Sequence, residues 1–208
     1  MAAWHGEVDS DPFNALVIQA GLSARNVGII RAYAAYLRQA GTPFSQGYLQ
    51  QVLLSNINIV QLLVQLFAVR FDPELDQDRD IKQKQLVGKI DDALDAVASL
   101  DQDRIMRASI ALVSATLRTN VYQLDADGNY PQVMAFKLDP SLVPDLPLPL
   151  PKFEIWVFSP RVEGRCAPPP GIFSAQAAYA VTETFSSRSA MARIVETTAA
   201  APDMSSFM

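Results

Sequence analysis

The sequence predicts an α+β fold: an antiparallel helical domain, then an incomplete β-sheet formed by a hairpin and one further strand, and finally a disordered tail. Apolar residues recur at helical spacing over residues 1–118, and three later segments have strand patterns. The composition changes after Gly164, because all 21 leucines of the 208-residue chain precede that residue. We therefore divide the chain into residues 1–118, 119–164 and 165–208.

Serine caps mark the first helices. Ser23 precedes an apolar-periodic run, and Gly41 lies where a helix of this length would end. Ser45 is a candidate N-cap for a second helix. Residues 57–71 predict a third helix whose apolar stripe is broad enough to be buried. The members of that stripe are Ile59, Leu62, Leu63, Leu66 and Phe67.

Two more helices complete the predicted helical part. A charged helix is expected from about Glu74 to Ala98, with Ile81, Ile90, Leu94 and Val97 as its apolar stripe. The last helix is expected to have Asp101 as its N-cap and to continue through Leu117. Four or five helices with short connections favour an antiparallel arrangement.

The strand signals follow directly. Residues 120–124 and 132–138 predict a hairpin, with the turn at Asp127-Gly128 between them. A third strand is predicted over 153–158, and its alternation places Glu154, Trp156 and Phe158 on one face. Both faces of such a strand need covering, which three strands cannot supply, so we expect the sheet to be incomplete.

The link over residues 139–151 contains five prolines and is predicted to be extended. A proline-rich segment could be a ligand for an aromatic groove on another protein. We favour a connector that packs its leucines on its own domain, because strand signals flank it on both sides.

Composition excludes several classes of function. The net charge of −5 argues against a nucleic-acid partner, which would require clustered basic surface. No apolar stretch is long enough to cross a membrane, and residues 1–9 lack the features of a signal peptide, so we expect a cytoplasmic protein. Cys166 and His5 are the only cysteine and histidine, which argues against a zinc site and against a Cys–His nucleophile.

Other sequence patterns could carry chemistry. Asp76-x-Asp78-x-Asp80 begins like a calcium loop but lacks the required glycine and glutamate, so we interpret it as the acidic start of a helix. No glycine-rich nucleotide cradle is present. Glu154 and Glu163 flank the last strand, and paired-carboxylate catalysis remains an open alternative there, although surface carboxylates are expected.

The stretch from about residue 15 to Gly164 resembles the large bacterial NAD-specific glutamate dehydrogenases. The matching blocks are residues 31–41, 67–73, 117–123, 136–140 and, most specifically, 151–164. The resemblance implies oxidation of L-glutamate to 2-oxoglutarate and ammonium, with NAD accepting the hydride. In that family a Gly-Gly-Leu-Arg-Trp-Ser-Asp segment, substrate-binding lysines and a Rossmann domain come next.

Residues 165–171 depart from that pattern at once. We therefore assign no catalytic, cofactor-binding or metal-binding residue to this chain, and we expect NAD to be bound only by the full-length enzymes. The composition of residues 165–208 favours an out-of-frame translation, and a divergent C-terminal extension is the alternative.

Two functions follow from this sequence. The first is a truncated part of an NAD-dependent glutamate dehydrogenase, inactive alone. The second is a helical interaction or assembly module. In either case the expected partners are further copies of the chain or the missing catalytic portion.

Overall fold

The computed structural model describes residues 11–75, 77–125, 127–160 and 163–166. The predicted tail from residue 167 onward and His5 lie outside the described residues. In the described part the helices come first and the strands follow, so the predicted α+β class is confirmed. The α-helices are α1 Ala15–Gln19, α2 Ala24–Gln39, α3 Gln46–Ser55, α4 Ile57–Phe71, α5 Arg79–Leu94 and α6 Leu100–Ala115. The strands are β1 Thr116–Thr119, β2 Met134–Leu138, β3 Glu154–Phe158 and β4 Glu163–Cys166.

The helix starts that depend on serine caps are confirmed. Ser23 Oγ accepts a hydrogen bond from Asn26 N at 3.2 Å, and Ser45 Oγ accepts one from Tyr48 N at 3.2 Å. Gly41 follows the end of α2 with φ of +90°, a conformation that residues with a Cβ rarely adopt. Capping by nearby side chains therefore sets where α2 and α3 begin. Helix α4 has the bounds that its apolar stripe predicts.

The predicted charged helix is too long at both ends. It begins at Arg79, since Asp78 has a left-handed backbone with φ of +55°, which interrupts helical geometry. Ile81 is 58% exposed, whereas Leu86, Ile90 and Leu94 are buried. The prediction that Ile81 faces the core is therefore wrong.

Helix α6 also differs from the prediction. Its N-cap residue is Ser99 rather than Asp101, and it ends at Ala115, where the chain passes directly into β1. The Thr116 hydroxyl turns back and donates to the Leu112 carbonyl at 2.7 Å, satisfying one of the open carbonyls at the helix end.

The sheet has the order β1-β2-β3-β4, and every neighbouring pair is antiparallel. The first predicted strand, 120–124, is wrong, because β1 lies just before it. Asn120 ends β1: its side-chain amide donates to Val133 O at 2.9 Å and accepts from Ala135 N at 2.8 Å. The strand β4 is an addition that the sequence did not predict.

The turn within the β1–β2 connection is confirmed. Asp125 Oδ1 accepts hydrogen bonds from Asp127 N at 3.0 Å and Asn129 N at 2.8 Å. Gly128 has φ of +79°, which suits glycine.

The proline-rich link is only partly extended. Residues Pro140–Leu142 form a 3-10 turn, and Asp139 caps it by accepting from Ser141 N at 3.0 Å. Leu146 packs against the core, but Leu148 is 83% exposed. The prediction that the leucines of this link pack on their own domain is therefore confirmed only in part.

One apolar core joins the helices to the inner face of the sheet, which is the face that α2 covers. Tyr33 of α2 packs against Phe67 of α4 and Phe136 of β2, with ring centroids 6.1 and 5.3 Å apart. Trp156 of β3 belongs to the same core. The division between residues 118 and 119 stays a prediction about domain organisation.

Across the described residues, none of the helices alone is long and apolar enough to cross a membrane. By length and composition the pair α3 and α4 would pass together, but they are bent by 93°.

Candidate functional site

Helix α2 places two buried tyrosines against the sheet. Tyr33 and Tyr36 are three residues apart and therefore lie on one side of the helix. The Thr116 hydroxyl already donates to Leu112 O, so the Tyr33 hydroxyl is the donor in its 2.8 Å hydrogen bond to Thr116 Oγ1. Burial raises the pKa of Tyr33, which keeps this donor protonated.

The most polar part of this contact is a cluster of three side chains, Tyr36, Glu154 and Arg165, which we call the junction cluster. The Tyr36 hydroxyl donates to Glu154 Oε2 at 2.5 Å. Arg165 Nε donates to Glu154 Oε1, and its guanidinium lies 4.9 Å from the centre of the Tyr36 ring. Glu154 is only 1% exposed, so these two donors replace the water that burial removed.

The junction cluster is tied to the surrounding elements. Arg165 Nη1 also donates to the carbonyl of Gln39, near the end of α2, at 3.0 Å. Tyr36 packs edge-on against Trp156, with centroids 5.6 Å apart. The indole N–H of Trp156 is buried and has no acceptor among the described residues. The cluster therefore connects α2, β3 and β4 through both charge and aromatic contact.

The electrostatics of the cluster favour a structural role. Burial, and then the hydrogen bond to Glu154 and its negative charge, raise the pKa of Tyr36 far above its usual value. A hydroxyl held protonated in this way donates a hydrogen bond but is a poor base at neutral pH. The arrangement can fix β4 to α2, and it offers no group poised for proton transfer.

The two glutamates that flank β3 are not brought together as a pair. Glu163 lies opposite Phe158, at the other end of β3 from Glu154, which is a separation of about 13 Å along the strand. Glu163 instead accepts hydrogen bonds from Arg38 and Gln39. The expectation of a surface carboxylate is wrong for Glu154, which is buried.

Sequence reasoning did not find Tyr36 and Arg165. One usable signal existed, since the alternation in β3 puts Glu154 on the same face as Trp156 and Phe158. A carboxylate on an aromatic face requires a buried partner. The sequence could not identify that partner, because Arg165 was assigned to the tail.

The remaining candidate ligands do not converge on a metal centre. The described residues include no group of three or more His, Cys, Asp or Glu side chains that could hold a metal ion. Asp80 lies in the first turn of α5, as the interpretation of an acidic helix start requires, while Asp76 lies outside the described residues.

Two family models match this chain. Residues 8–73 match helical motif 3 of glutamate dehydrogenase, and residues 89–166 match the catalytic domain of bacterial NAD-glutamate dehydrogenase. Tyr36 lies in the first matched segment, whereas Glu154 and Arg165 lie in the second. The junction cluster therefore joins the two segments.

The chain is also similar to three curated proteins, each called NAD-specific glutamate dehydrogenase. The protein from Halomonas elongata is 47% identical over 162 residues, which is 77% of this chain. Those from Mycobacterium tuberculosis and Pseudomonas aeruginosa are 46% and 44% identical, over 78% and 76% of this chain. This chain spans about 10% of the length of each relative. It belongs to the family of bacterial NAD-specific glutamate dehydrogenases, of which it represents a small part.

Proposed function

We propose that this chain supplies a helical segment and the opening strands of the catalytic domain to a cytoplasmic NAD-dependent glutamate dehydrogenase. The whole enzyme would oxidise L-glutamate to 2-oxoglutarate and ammonium in glutamate catabolism, with NAD as the hydride acceptor. The match of residues 89–166 to the catalytic domain of that family carries the proposal.

The role proposed for these residues is support of the catalytic sheet rather than chemistry. Hydride transfer needs a positioned nicotinamide and a clamp for the substrate, and we assign neither to this chain. The junction cluster has the features of a support, since Glu154 receives donors from α2 and from β4. We therefore expect the chain alone to be inactive.

An activity measurement tests this directly. The purified chain is incubated with L-glutamate and NAD, and NADH formation is followed by absorbance, with one of the full-length relatives as the positive control. We expect no turnover above a blank without protein. Sustained turnover that requires both substrates would contradict the assignment of a purely supporting role.

A second function, an interaction module, is favoured by the continuous core that joins helices and sheet. Such a module would bind either further copies of itself or the missing catalytic portion. Size-exclusion chromatography and urea unfolding distinguish the two proposals. A defined oligomer, or a monomer that unfolds cooperatively, supports the module, whereas aggregation supports a fragment that depends on the rest of the enzyme.

A further inference from the structure

The two segments that the family models match separately meet along α2. We call residues 11–75 the first segment, because they contain most of the first match, and residues 77–166 the second segment, because they contain all of the second. Helix α2 belongs to the first segment, and all eleven of its residues from 27 to 37 are buried. A surface helix buries only one stripe, so a helix buried on every side lies inside the core. Its neighbours include α3 and α4 of the first segment and α6, β3 and β4 of the second.

Aromatic rings form the centre of the contact between the two segments. Tyr33 packs against Phe136, and Tyr36 packs edge-on against Trp156. All four rings are buried. Tyrosine and tryptophan are enriched among the few residues that supply most of the binding free energy of protein–protein interfaces. Without the first segment, the two rings of the sheet would lose their cover.

The sheet also approaches α2 closely. A Cβ at Gly28 of α2 would lie 2.7 Å from the methyl group of Met134, so a larger residue would push the end of that side chain aside. Phe136 and Leu138 of β2 belong to the core, so Lys137 between them lies on the outer face, which is the face away from α2. The contact with the first segment therefore uses the inner face of the sheet.

Two arginines of the first segment hold both ends of β1. Arg70 Nη2 donates to the carbonyls of Ser114 and Thr116, each at 3.2 Å, where α6 passes into β1. Arg25 Nη2 donates to the carbonyl of Val121, just after the strand. Between these contacts β1 contains a β-bulge, at which its register against β2 shifts. Hydrogen bonds from charged donors are stronger than neutral ones, so these contacts tie the second segment to the first.

Further polar contacts cross between the segments at the other end of α2. Glu154 accepts a hydrogen bond from Tyr36, and Glu163 accepts hydrogen bonds from Arg38 and Gln39. Interfaces between separate proteins combine a buried centre enriched in aromatic residues and arginine with a polar rim. The contact between the two segments has the same composition, although both belong to one chain.

We propose that the two segments bind each other without the covalent link between them, so that the segment matching helical motif 3 is an assembly partner of the catalytic-domain segment. The surface that it binds is α6 together with the inner face of the sheet. In the described part of the link, Glu74, Leu75, Gln77 and Asp78 are exposed, so the link itself adds little to the core. Two domains that fold independently are the alternative.

The test is cleavage of the folded chain within this link. A recognition sequence for a specific protease is inserted after Leu75 of the 208-residue protein, and the cut protein is passed through a size-exclusion column under native conditions. We expect the two pieces to elute together at the volume of the uncut protein and to separate in urea. Elution as two separate species, or precipitation of one piece, would overturn the proposal.

A substitution decides whether the named contacts hold the pieces together. Tyr36→Phe removes a donor to a buried carboxylate and should weaken the association of the cut pieces about tenfold or more, since hydrogen bonds to charged groups contribute that much. Dissociation on dilution is followed by the anisotropy of a dye attached to one piece. Tyr48→Phe is the matched control and should leave the affinity unchanged, because Tyr48 packs against Phe44 within the first segment. Equal effects of the two substitutions would contradict the interface.

Hydrogen exchange tests the same proposal on the uncut chain without any substitution. Backbone amides in α2 and in β3 should report the same free energy of opening, because neither segment opens alone. A clearly lower value in either element would mean that one segment unfolds while the other stays folded, which overturns the proposal. None of these experiments depends on glutamate oxidation, so their failure and that of the proposed function are distinguishable.

Discussion

Each face of the sheet buries one charged side chain, and the two charges differ in the partners that surround them. On the inner face Glu154 is 1% exposed, and it receives donors from Tyr36 and Arg165. On the outer face Lys137 is 8% exposed, and it meets an aromatic ring and two positive charges. Glu154 and Lys137 belong to adjacent cross-strand pairs, since Leu138 pairs with Glu154 and Lys137 pairs with Ile155. The two side chains therefore point to opposite faces.

The difference teaches how burial is compensated. A buried charge is tolerated when other groups replace its hydration, and it is expensive when they do not. Glu154 obtains its partners from two separate elements, so it stabilises the contact between them. Lys137 meets the Phe153 ring and two positive charges instead, so its burial is poorly compensated by the described residues.

The largest loss of stability is expected from removing Glu154, the buried charge whose hydration is replaced by hydrogen-bond donors. Glu154→Ala leaves Arg165 and the Tyr36 hydroxyl without their acceptor, and breaking a buried pair in this way costs about 3 kcal/mol of unfolding free energy. Urea unfolding followed by circular dichroism measures the loss. Glu163→Gln is the control, because its pair with Arg38 is partly exposed to solvent and contributes about 1 kcal/mol or less. Equal losses in the two variants would show that the junction cluster does not link the elements.

The second largest effect is a fall in the free energy of unfolding at alkaline pH, caused by the two buried tyrosines on the inner face. Burial raises the pKa of Tyr33 and Tyr36, so above about pH 10 the unfolded chain loses these protons while the folded chain retains them. Stability is therefore unaffected below that pH and falls above it, by about 1.4 kcal/mol per pH unit for each tyrosine.

Tyr36→Phe removes one of these protons and should make the alkaline slope shallower by that amount. Urea unfolding of both proteins across the range from about pH 9 to pH 11 gives the two slopes. Parallel slopes would mean that Tyr36 ionises in the folded state as readily as in the unfolded state.

The smallest effect, of opposite sign, is expected on the outer face. Lys137→Met removes a cation that faces Arg118, and in a buffer without multivalent anions it should raise the free energy of unfolding by about 0.5 kcal/mol. Lys89→Met on α5 is the matched control and should change little. A loss of stability in Lys137→Met alone would mean that the contact with Phe153 outweighs the repulsion.

Local patterns predicted much of the helical half. The caps at Ser23 and Ser45 and the bounds of α4 depend on residues within one helix, so the sequence displays them directly. The wrong boundaries are those of elements whose ends depend on contacts with other parts of the chain. Asn120 ends β1 because its side chain bonds Val133 and Ala135, and Ser99 rather than Asp101 precedes α6.

The candidate site was less predictable. Glu154 was singled out but was expected on the surface, and its partner Tyr36 is 118 residues away along the chain. No short-range signal encodes such a contact. The strand β4, which carries Arg165, was missed because its sequence lacks the apolar alternation of a strand.

The sequence alone determined the family, the α+β class and the first helix boundaries, because the matching blocks, the periodicity and the caps are written in consecutive residues. The tertiary structure decided which charges are buried, which of them are paired, and where the bulge aligns Arg118 with Lys137. The physical reason is that desolvation and register depend on which distant segments come together, and a linear pattern does not contain that information.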